Sequence, residues 1–238
     1  MREITAGELA GLLNKNYDFV LESYVLNEDK LCVKPVYKFE RAFIVNENEF
    51  CLIYSEADDP EEIYVFVNSR KFEDILCEYK NCKIIFHDKN GEVESFYYDK
   101  KIKKSMSSEL DFKLLTQSDK NLCGLFDTDG DCYLNKIFHD FNENKIYSDC
   151  GIIGAYDKNN FAGYLAYYEI AENIRDVSHI YVGEEYRDRG YGKDLLNCFV
   201  NKNIEENKIS YYSYAADEIS GKLVKSCGFT PCAKRYEE

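Results

Sequence analysis

The segment 176–204 constrains the fold more than any other part of the chain. An apolar run ends at Val182, a turn with glycines at Gly190 and Gly192 follows, and apolar residues then recur at helical spacing from Leu195. This order predicts a strand, a tight turn and an amphipathic helix. Glycines at such a junction let the backbone approach a ligand closely. The free N–H groups of the first helical turn, together with the helix dipole, suit an anion such as a pyrophosphate.

The two common nucleotide-binding motifs are absent from this turn. A P-loop requires Ser or Thr after the lysine, but Lys193 is followed by Asp194. The dinucleotide fingerprint requires a third glycine where Leu195 stands. Taken alone, Gly190-x-Gly192 is also typical of an ordinary tight turn.

The wider sequence context resembles one family. Arg187-x-x-Gly190-x-Gly192, after a strand ending in Val182, resembles the acetyl-CoA motif of the GNAT N-acetyltransferases, Arg/Gln-x-x-Gly-x-Gly/Ala. Downstream, the stretch from Asp217-Glu218-Ile219-Ser220 to Gly228-Phe229 resembles the Asn-x-x-Ala/Ser … Gly-Phe helix of the same family. Two motifs in register are more specific than one. The resemblance implies a GNAT acyl-CoA fold for the carboxyl-terminal half of the chain.

The resemblance also implies residue roles. Acetyl-CoA, as co-substrate, would be bound by the end of the strand, the turn and the start of the later helix, that is by Ile180, Tyr181, Val182, Arg187, Asp188, Arg189, Gly190, Tyr191, Gly192, Lys193 and Asp217. Two positions depart from the family pattern. Glu184 replaces a common proline, and Val224 stands where many members carry the tyrosine that protonates the leaving thiolate.

Transfer to an amine requires a base, because the nitrogen lone pair is the nucleophile. Asp176 is the first candidate, acting through water, and Glu169 at the end of the preceding strand is the second. Strict alternation along a strand would place Asp176 on the face of Ile180 and Val182. His179 would then point to the opposite face, in a structural role.

The chain is predicted to be an α+β protein with a mixed sheet and two domains. A smaller α+β domain of unknown role spans 1–104, and the GNAT domain spans 112–238. The boundary is placed in the polar run 99–112. In the first domain, Asn90-Gly91 predicts a hairpin between runs 83–87 and 92–98. This domain would help form the acceptor side or be a diverged second copy of the fold.

Composition narrows the partners. The net charge of −14 disfavours nucleic acid and anionic membranes as partners and favours a cationic acceptor. Ten scattered cysteines with no Cys-x-x-Cys pair, and no amino-terminal signal segment, indicate a reduced cytoplasmic protein. A homodimer is left open.

No metal site is predicted. The three histidines show no metal-ligand spacing. The acidic run Asp127–Asp131 lacks the glycine and the glutamate that an EF-hand calcium loop requires at its sixth and twelfth positions.

The sequence therefore predicts an N-acetyltransferase that moves an acetyl group from acetyl-CoA to a primary amine of a cationic small molecule or peptide. The amine would attack the thioester directly, with no covalent enzyme intermediate. The alternative is a non-catalytic acyl-CoA-binding or interaction module, which Val224 and the unassigned base would favour.

Overall fold

The computed structural model describes residues 1–13, 17–20, 22, 24–26, 37–46, 49–57, 59–79, 82–87, 93–107, 109–126, 133–143, 147–215 and 218–237. These residues form two compact units. Unit 1 comprises Met1–Ser95, Ser213–Asp217 and Pro231–Glu238, and unit 2 comprises Phe96–Tyr212 and Glu218–Thr230. No helix in the described ranges is long and apolar enough to cross a membrane.

The strands are numbered in chain order: β1 Arg2–Ile4, β2 Tyr37–Asn46, β3 Glu49–Glu56, β4 Ile63–Val67, β5 Lys83–His87, β6 Val93–Tyr98, β7 Asp111–Leu114, β8 Cys150–Asp157, β9 Asn160–Ala171, β10 Ile174–Val182, β11 Ile209–Ala215 and β12 Thr230–Glu237. The α-helices are α1 Ala6–Leu13, α2 Glu73–Glu78, α3 Tyr133–Phe138, α4 Tyr191–Glu205 and α5 Glu218–Ser226. Short 3₁₀ helices span Tyr17–Phe19, Arg70–Phe72, Gln117–Phe126 and Glu184–Tyr186, and a π-helical turn spans His139–Glu143.

In unit 1, neighbouring strands follow the order β1-β2-β3-β4-β5-β12. Every pairing is antiparallel except that of β4 with β5, which is parallel. Both faces of β3 are buried. Phe50 and Leu52 pack in one apolar cluster with α1, and Cys51 and Ile53 pack in another with Phe72. A strand covered on both faces reads as a continuous apolar run, which explains the sequence of β3.

In unit 2, the order is β11-β10-β9-β8-β7, again antiparallel except for the parallel pair of β10 and β11. One face of this sheet packs against α3 and the 3₁₀ helix before it, through a cluster that includes Phe138, Ile152 and Tyr164. The other face packs against α4, where the rings of Tyr167 and Phe199 lie 5.4 Å apart. The apolar stripe predicted for α4 is fully buried at Leu195 and Leu196.

The two units repeat one strand pattern, three antiparallel steps followed by a parallel step. The strand beyond the parallel pair is β12 in unit 1, and it comes from the carboxyl-terminal end of the chain. β6 neighbours β12 and β11 and does not pair with β5. The predicted hairpin between 83–87 and 92–98 is therefore wrong, because β5 pairs with β12, a strand remote in sequence. The turn at Asn90-Gly91 lies outside the described residues.

The polar run 99–112 begins inside unit 2 and is not a free linker. Asn201 of α4 accepts a hydrogen bond from the Lys104 N–H at 2.6 Å and donates one to the Lys104 carbonyl at 2.9 Å. Asn197 donates to the Ser105 carbonyl at 3.2 Å. The compact units divide the chain near residue 95, and residues Pro231–Glu238 belong to unit 1.

Candidate active site

The turn between β10 and α4 has the geometry of an anion-binding loop. After β10, the chain makes one 3₁₀ turn over Glu184–Tyr186, and Asp188 and Gly190 then adopt left-handed conformations with φ of 61° and 83°. Gly190 is the residue that caps the amino terminus of α4. A left-handed φ costs a residue with a side chain roughly 1–2 kcal/mol, so glycine is the natural residue at 190. The local sequence therefore fixes the shape of this loop.

The N–H groups of this loop are available to a ligand. Among the backbone hydrogen bonds of the described residues, none uses the N–H groups of residues 188–193. The first hydrogen bond of the helix runs from the Asp194 N–H to the Gly190 carbonyl. The Arg187 N–H differs from the others, because it donates to the Glu184 carbonyl at 3.2 Å. Six of the seven predicted loop residues thus present free donors beside the positive end of a 15-residue helix.

Two arginine side chains add positive charge. The Arg187 guanidinium is half exposed and donates through Nε to the Val182 carbonyl at 3.2 Å. Arg189, also half exposed, lies 3.6 Å from Asp157, which in turn accepts the hydroxyl of Tyr191 at 2.9 Å. Asp157 and Glu184 only partly offset these charges, since both arginines remain accessible to solvent.

The strand leading to the loop has an open edge. β10 pairs with β11 through Ile174, Arg175 and Asp176, and the pairing ends where Asp176 meets Tyr211. Ile180, Tyr181 and Val182 stay paired with β9 on their other side. The predicted contact residues of β10 and the loop thus lie in one continuous stretch, beyond the part of β10 that pairs with β11.

A β-bulge changes which side chains of β10 share a face. The register with β9 shifts between Val177 and His179, so that Ser178 is the extra residue. Asp176 and His179 lie opposite Tyr168 and Ala166, and Tyr181 lies opposite Tyr164. Cross-strand partners share a face, and these partners of β9 pack on the α3 side.

Ile180 and Val182 consequently lie on the α4 side, where the side chain of Val182 adjoins Gly192. The prediction that Asp176 shares a face with Ile180 and Val182 is wrong, and so is the placement of His179 opposite to Asp176. The physical reason is that an extra residue in a strand reverses its alternation. Asp176, His179 and Tyr181 therefore form one row on the α3 side of the sheet.

The two predicted base candidates differ in their surroundings. Asp176 is 1% exposed at the start of this row. Glu169 lies at the opposite end of the β9–β10 pair from the loop, where it accepts hydrogen bonds from the Asn173 N–H and from Lys208 Nζ, each at 2.8 Å. Val224 is fully buried in α5. Asp217 lies outside the described residues.

Two residues of this region carried no sequence motif. Ser107 adjoins the loop, since a Cβ built on Gly190 would stand 3.3 Å from its hydroxyl oxygen. His179 packs its ring against Tyr133 and Tyr164 at centroid distances of 4.4 and 5.6 Å. In the described part of the chain, no group of three or more His, Cys, Asp or Glu side chains converges as metal ligands would. The acidic run Asp127–Asp131 lies outside the described residues.

Comparison with known proteins identifies the fold of this site. Residues 120–229 match the model of the acetyltransferase (GNAT) family. No curated protein matches the chain. The match confirms the family resemblance of the carboxyl-terminal half.

Several solved structures resemble nearly the whole chain. A Drosophila protein is 10% identical with a TM-score of 0.59, and the alignment covers 99% of this chain and 97% of that one. A GCN5-related N-acetyltransferase from Kribbella flavida is 10% identical with a TM-score of 0.54, covering 93% and 95%. A tandem GNAT protein of the clavulanic acid biosynthesis pathway is 9% identical with a TM-score of 0.53, covering 99% and 97%. At these identities the likeness concerns the fold, and it confirms the α+β class.

Proposed function

We propose that this chain, whose carboxyl-terminal half is a GNAT acetyltransferase domain, transfers an acetyl group from acetyl-CoA to a primary amine. The observation that carries the proposal is the joined pair of anion loop and open strand edge. The free N–H groups of residues 188–193 follow directly after a strand whose pairing with β11 stops at Asp176. Acetyl-CoA has two matching parts in the same order, namely a pyrophosphate that would bind the loop and an extended amide-bearing arm that would pair with the strand edge.

The residues present fit this co-substrate. The N–H groups from Asp188 to Lys193 would bind the pyrophosphate, with Arg187 and Arg189 supplying charge. The backbone of Ile180, Tyr181 and Val182 would pair with the pantetheine amides as an added strand does. Gly190 carries no Cβ that would enter the loop beside Ser107. Asp217 completes the proposed contact set.

The thioester supplies the acyl group, and the protein must bring a free amine to it. The amine nitrogen forms the C–N bond, the C–S bond breaks, and the sulfur leaves as a thiolate. A thiolate is a weak base compared with an alkoxide, so the absence of a tyrosine at Val224 does not block its departure. The remaining requirement is a group that removes a proton from the ammonium.

The base is proposed to lie on the paired strands β9 and β10. Asp176 and Glu169 are the carboxylate candidates. Glu169 is the weaker candidate for the base, because its carboxylate already accepts hydrogen bonds from Lys208 and from the turn before β10. Asp176 is in the correct row, but its side chain is almost completely buried.

We also propose that the amino-terminal domain is a diverged second copy of the fold that binds no acetyl-CoA. Its β4 stays paired with β5 from Tyr64 to Val67, so the edge that is open in β10 is closed here. The turn after β4 contains no glycine. Its Ser69 hydroxyl and Lys71 ammonium both bond to the carboxylate of Glu49, at 2.8 Å each, which occupies the place of an anion. The tandem architecture named for one of the similar structures is consistent with this assignment.

The acceptor is proposed to be cationic, a small molecule or a peptide amine, because a chain of net charge −14 attracts cations. The same charge argues against nucleic acid and anionic membranes as partners. A cytoplasmic location and a homodimer remain proposals.

Calorimetry with acetyl-CoA tests the proposal. We expect one molecule bound per chain, and binding weakened by at least about 100-fold in Gly190→Glu, which places a carboxylate in the anion loop. Gly221→Ala is the matched control, because nothing lies within 4 Å of the added methyl group. Thiol release should then be followed by mass detection against a panel of primary amines, since the exposed Cys77 would react with thiol reagents.

Each outcome has a distinct meaning. Binding that is lost in Gly190→Glu, together with release for some amine, supports the transferase. Binding without release for any amine supports the acyl-CoA-binding module instead. Two molecules bound per chain would contradict the assignment of the amino-terminal domain, and no binding would overturn the proposal entirely.

A further inference from the structure

The bulge at Ser178 places His179 where the reacting end of a bound co-substrate would stop. An arm that pairs along β10 from the loop passes Val182, Tyr181 and Ile180 in that order. Beyond Asp176 the edge is closed, because β11 pairs there. The end of the arm must therefore lie between Asp176 and Ile180, beside the bulge.

His179 is the partly exposed side chain of this row nearest to the bulge, and it can accept a proton near neutral pH. Asp176 is 1% exposed, whereas the His179 imidazole is only partly buried, under the ring of Tyr133 at 4.4 Å. Tyr133 is half exposed and is the first residue of α3. His179 and Asp176 lie opposite residues of β9 that are two apart, so their Cα atoms are separated by roughly 7 Å along the sheet.

The chemistry of the imidazole suits proton acceptance. Burial lowers the pKa of His179, so the neutral ring with its free lone pair predominates at neutral pH. The titratable groups that face it are Tyr133 from α3, Tyr164 from β9, and Asp176 and Tyr181 from β10. Lys136 reaches over the Tyr133 ring at 6.0 Å.

We infer that His179 is the catalytic base of the proposed transfer and that the exposed ring of Tyr133 holds the acceptor ammonium beside it. This inference rests on the proposed function. The ammonium gives one proton to an imidazole nitrogen, and the freed lone pair forms the C–N bond. The C–S electron pair leaves with sulfur, and the imidazolium returns its proton to the thiolate or to water. The nitrogen of the new amide then gives up its second proton through the imidazole to water, so that charge and atoms balance.

The test compares His179→Gln with His139→Gln, an exposed histidine of the same unit. At pH 7 we expect kcat/KM to fall at least about 100-fold in His179→Gln and to stay unchanged in His139→Gln. The loss should shrink as the pH rises toward about 10, where the amine is itself deprotonated. Added imidazole should partly restore the activity of His179→Ala. An acetyl-CoA Kd equal to that of the wild type shows that the variant is folded.

Tyr133 provides an independent measurement. Tyr133→Leu should raise the KM for the amine by about twofold to thirtyfold with little change in kcat, because the cation–π contact is lost. Tyr133→Phe keeps the ring, so the KM for the amine should rise less than it does in Tyr133→Leu.

Several results would overturn the inference. One is His179→Gln activity within about threefold of the wild type. Another is Asp176→Asn showing the pH-dependent loss in its place, which would return the role to Asp176. If the wild type binds acetyl-CoA but acetylates no amine, the proposed function fails first and this inference fails with it.

Discussion

The carboxylate of Asp194 accepts hydrogen bonds from both the backbone N–H and the hydroxyl of Ser107, at 2.9 and 3.1 Å. Asp194 is fully buried in the first turn of α4, where the helix dipole favours a negative charge. Ser107 lies 87 residues earlier in the chain. Together they fix the polar run that precedes β7 against the start of the helix that forms the anion loop.

Asp194→Ala should lower the free energy of unfolding by about 1.5–3 kcal/mol, because it removes the hydrogen bonds that Ser107 donates to a fully buried carboxylate. Ser107→Ala should cost about 1 kcal/mol, since the backbone donor keeps its partner. Urea unfolding followed by circular dichroism measures both. Ser226→Ala, whose exposed hydroxyl donates to the nearby Leu223 carbonyl, is the control and should change stability by less than about 0.5 kcal/mol. Equal losses in all three variants would show that Asp194 has no special role.

Gly163 lets β9 and β10 approach closely next to the loop. A Cβ at this position would stand 2.4 Å from the Tyr181 carbonyl oxygen, so the backbone of β10 would have to move. We expect Gly163→Ala to destabilise the protein by about 1–3 kcal/mol and to weaken acetyl-CoA binding, because Tyr181 belongs to the proposed pairing edge. Gly7→Ala, with nothing within 4 Å of its added methyl group, should leave binding unchanged. If calorimetry shows that Gly163→Ala binds acetyl-CoA as tightly as the wild type does, this result would argue against β10 as the pairing edge.

Replacing Arg175 should affect mainly the stability of the protein, whereas replacing Arg187 should affect mainly acetyl-CoA binding. The buried Arg175 donates to Asp149 at 2.7 Å and to Asn203 at 3.1 Å, and it stacks over the Tyr167 ring. Arg175→Ala should cost about 2–4 kcal/mol, because it removes a buried guanidinium that bonds to Asp149 and Asn203, although Lys208 stays beside Asp149. Arg187→Ala, at an exposed position, should cost less than about 0.5 kcal/mol but should weaken acetyl-CoA binding. Chemical unfolding and calorimetry on the two variants test this, and the reverse pattern would contradict it.

Asp149 should make the free energy of unfolding depend on pH in the acidic range. Burial raises the pKa of this carboxyl, but hydrogen bonds and charge from Arg175 and then Lys208 outweigh burial and leave the pKa lowered. A lowered pKa in the folded state gives stability that is present above the unfolded value, about 3.9, and is lost as the pH falls through the folded value. Asp149→Asn should therefore be less stable than the wild type by about 1–3 kcal/mol at pH 7. The difference between the two urea curves should shrink below about pH 4. A constant difference from pH 7 to pH 3 would refute this linkage.

The sequence by itself determined the loop and its helix. Gly190 requires a left-handed backbone that glycine adopts without strain, and the stripe from Leu195 requires a buried helix face, so both follow from local rules. The family motif depends on these same local positions, which is why it predicts the stretch from Arg187 to Lys193 as the binding loop. Of these, only the Arg187 N–H has a partner within the loop.

Tertiary structure decided the rest. The face of Asp176 depended on a bulge, and a bulge is set by how β10 pairs with β9 rather than by the residues of β10 alone. The strand beside β5 came from the far end of the chain, so a favourable Asn-Gly turn did not decide the pairing. Ser107 reached Asp194 by packing across 87 residues, and no local spacing encodes such a contact. Side-chain alternation and turn propensity act over a few residues, whereas strand pairing and helix packing select partners across the whole chain.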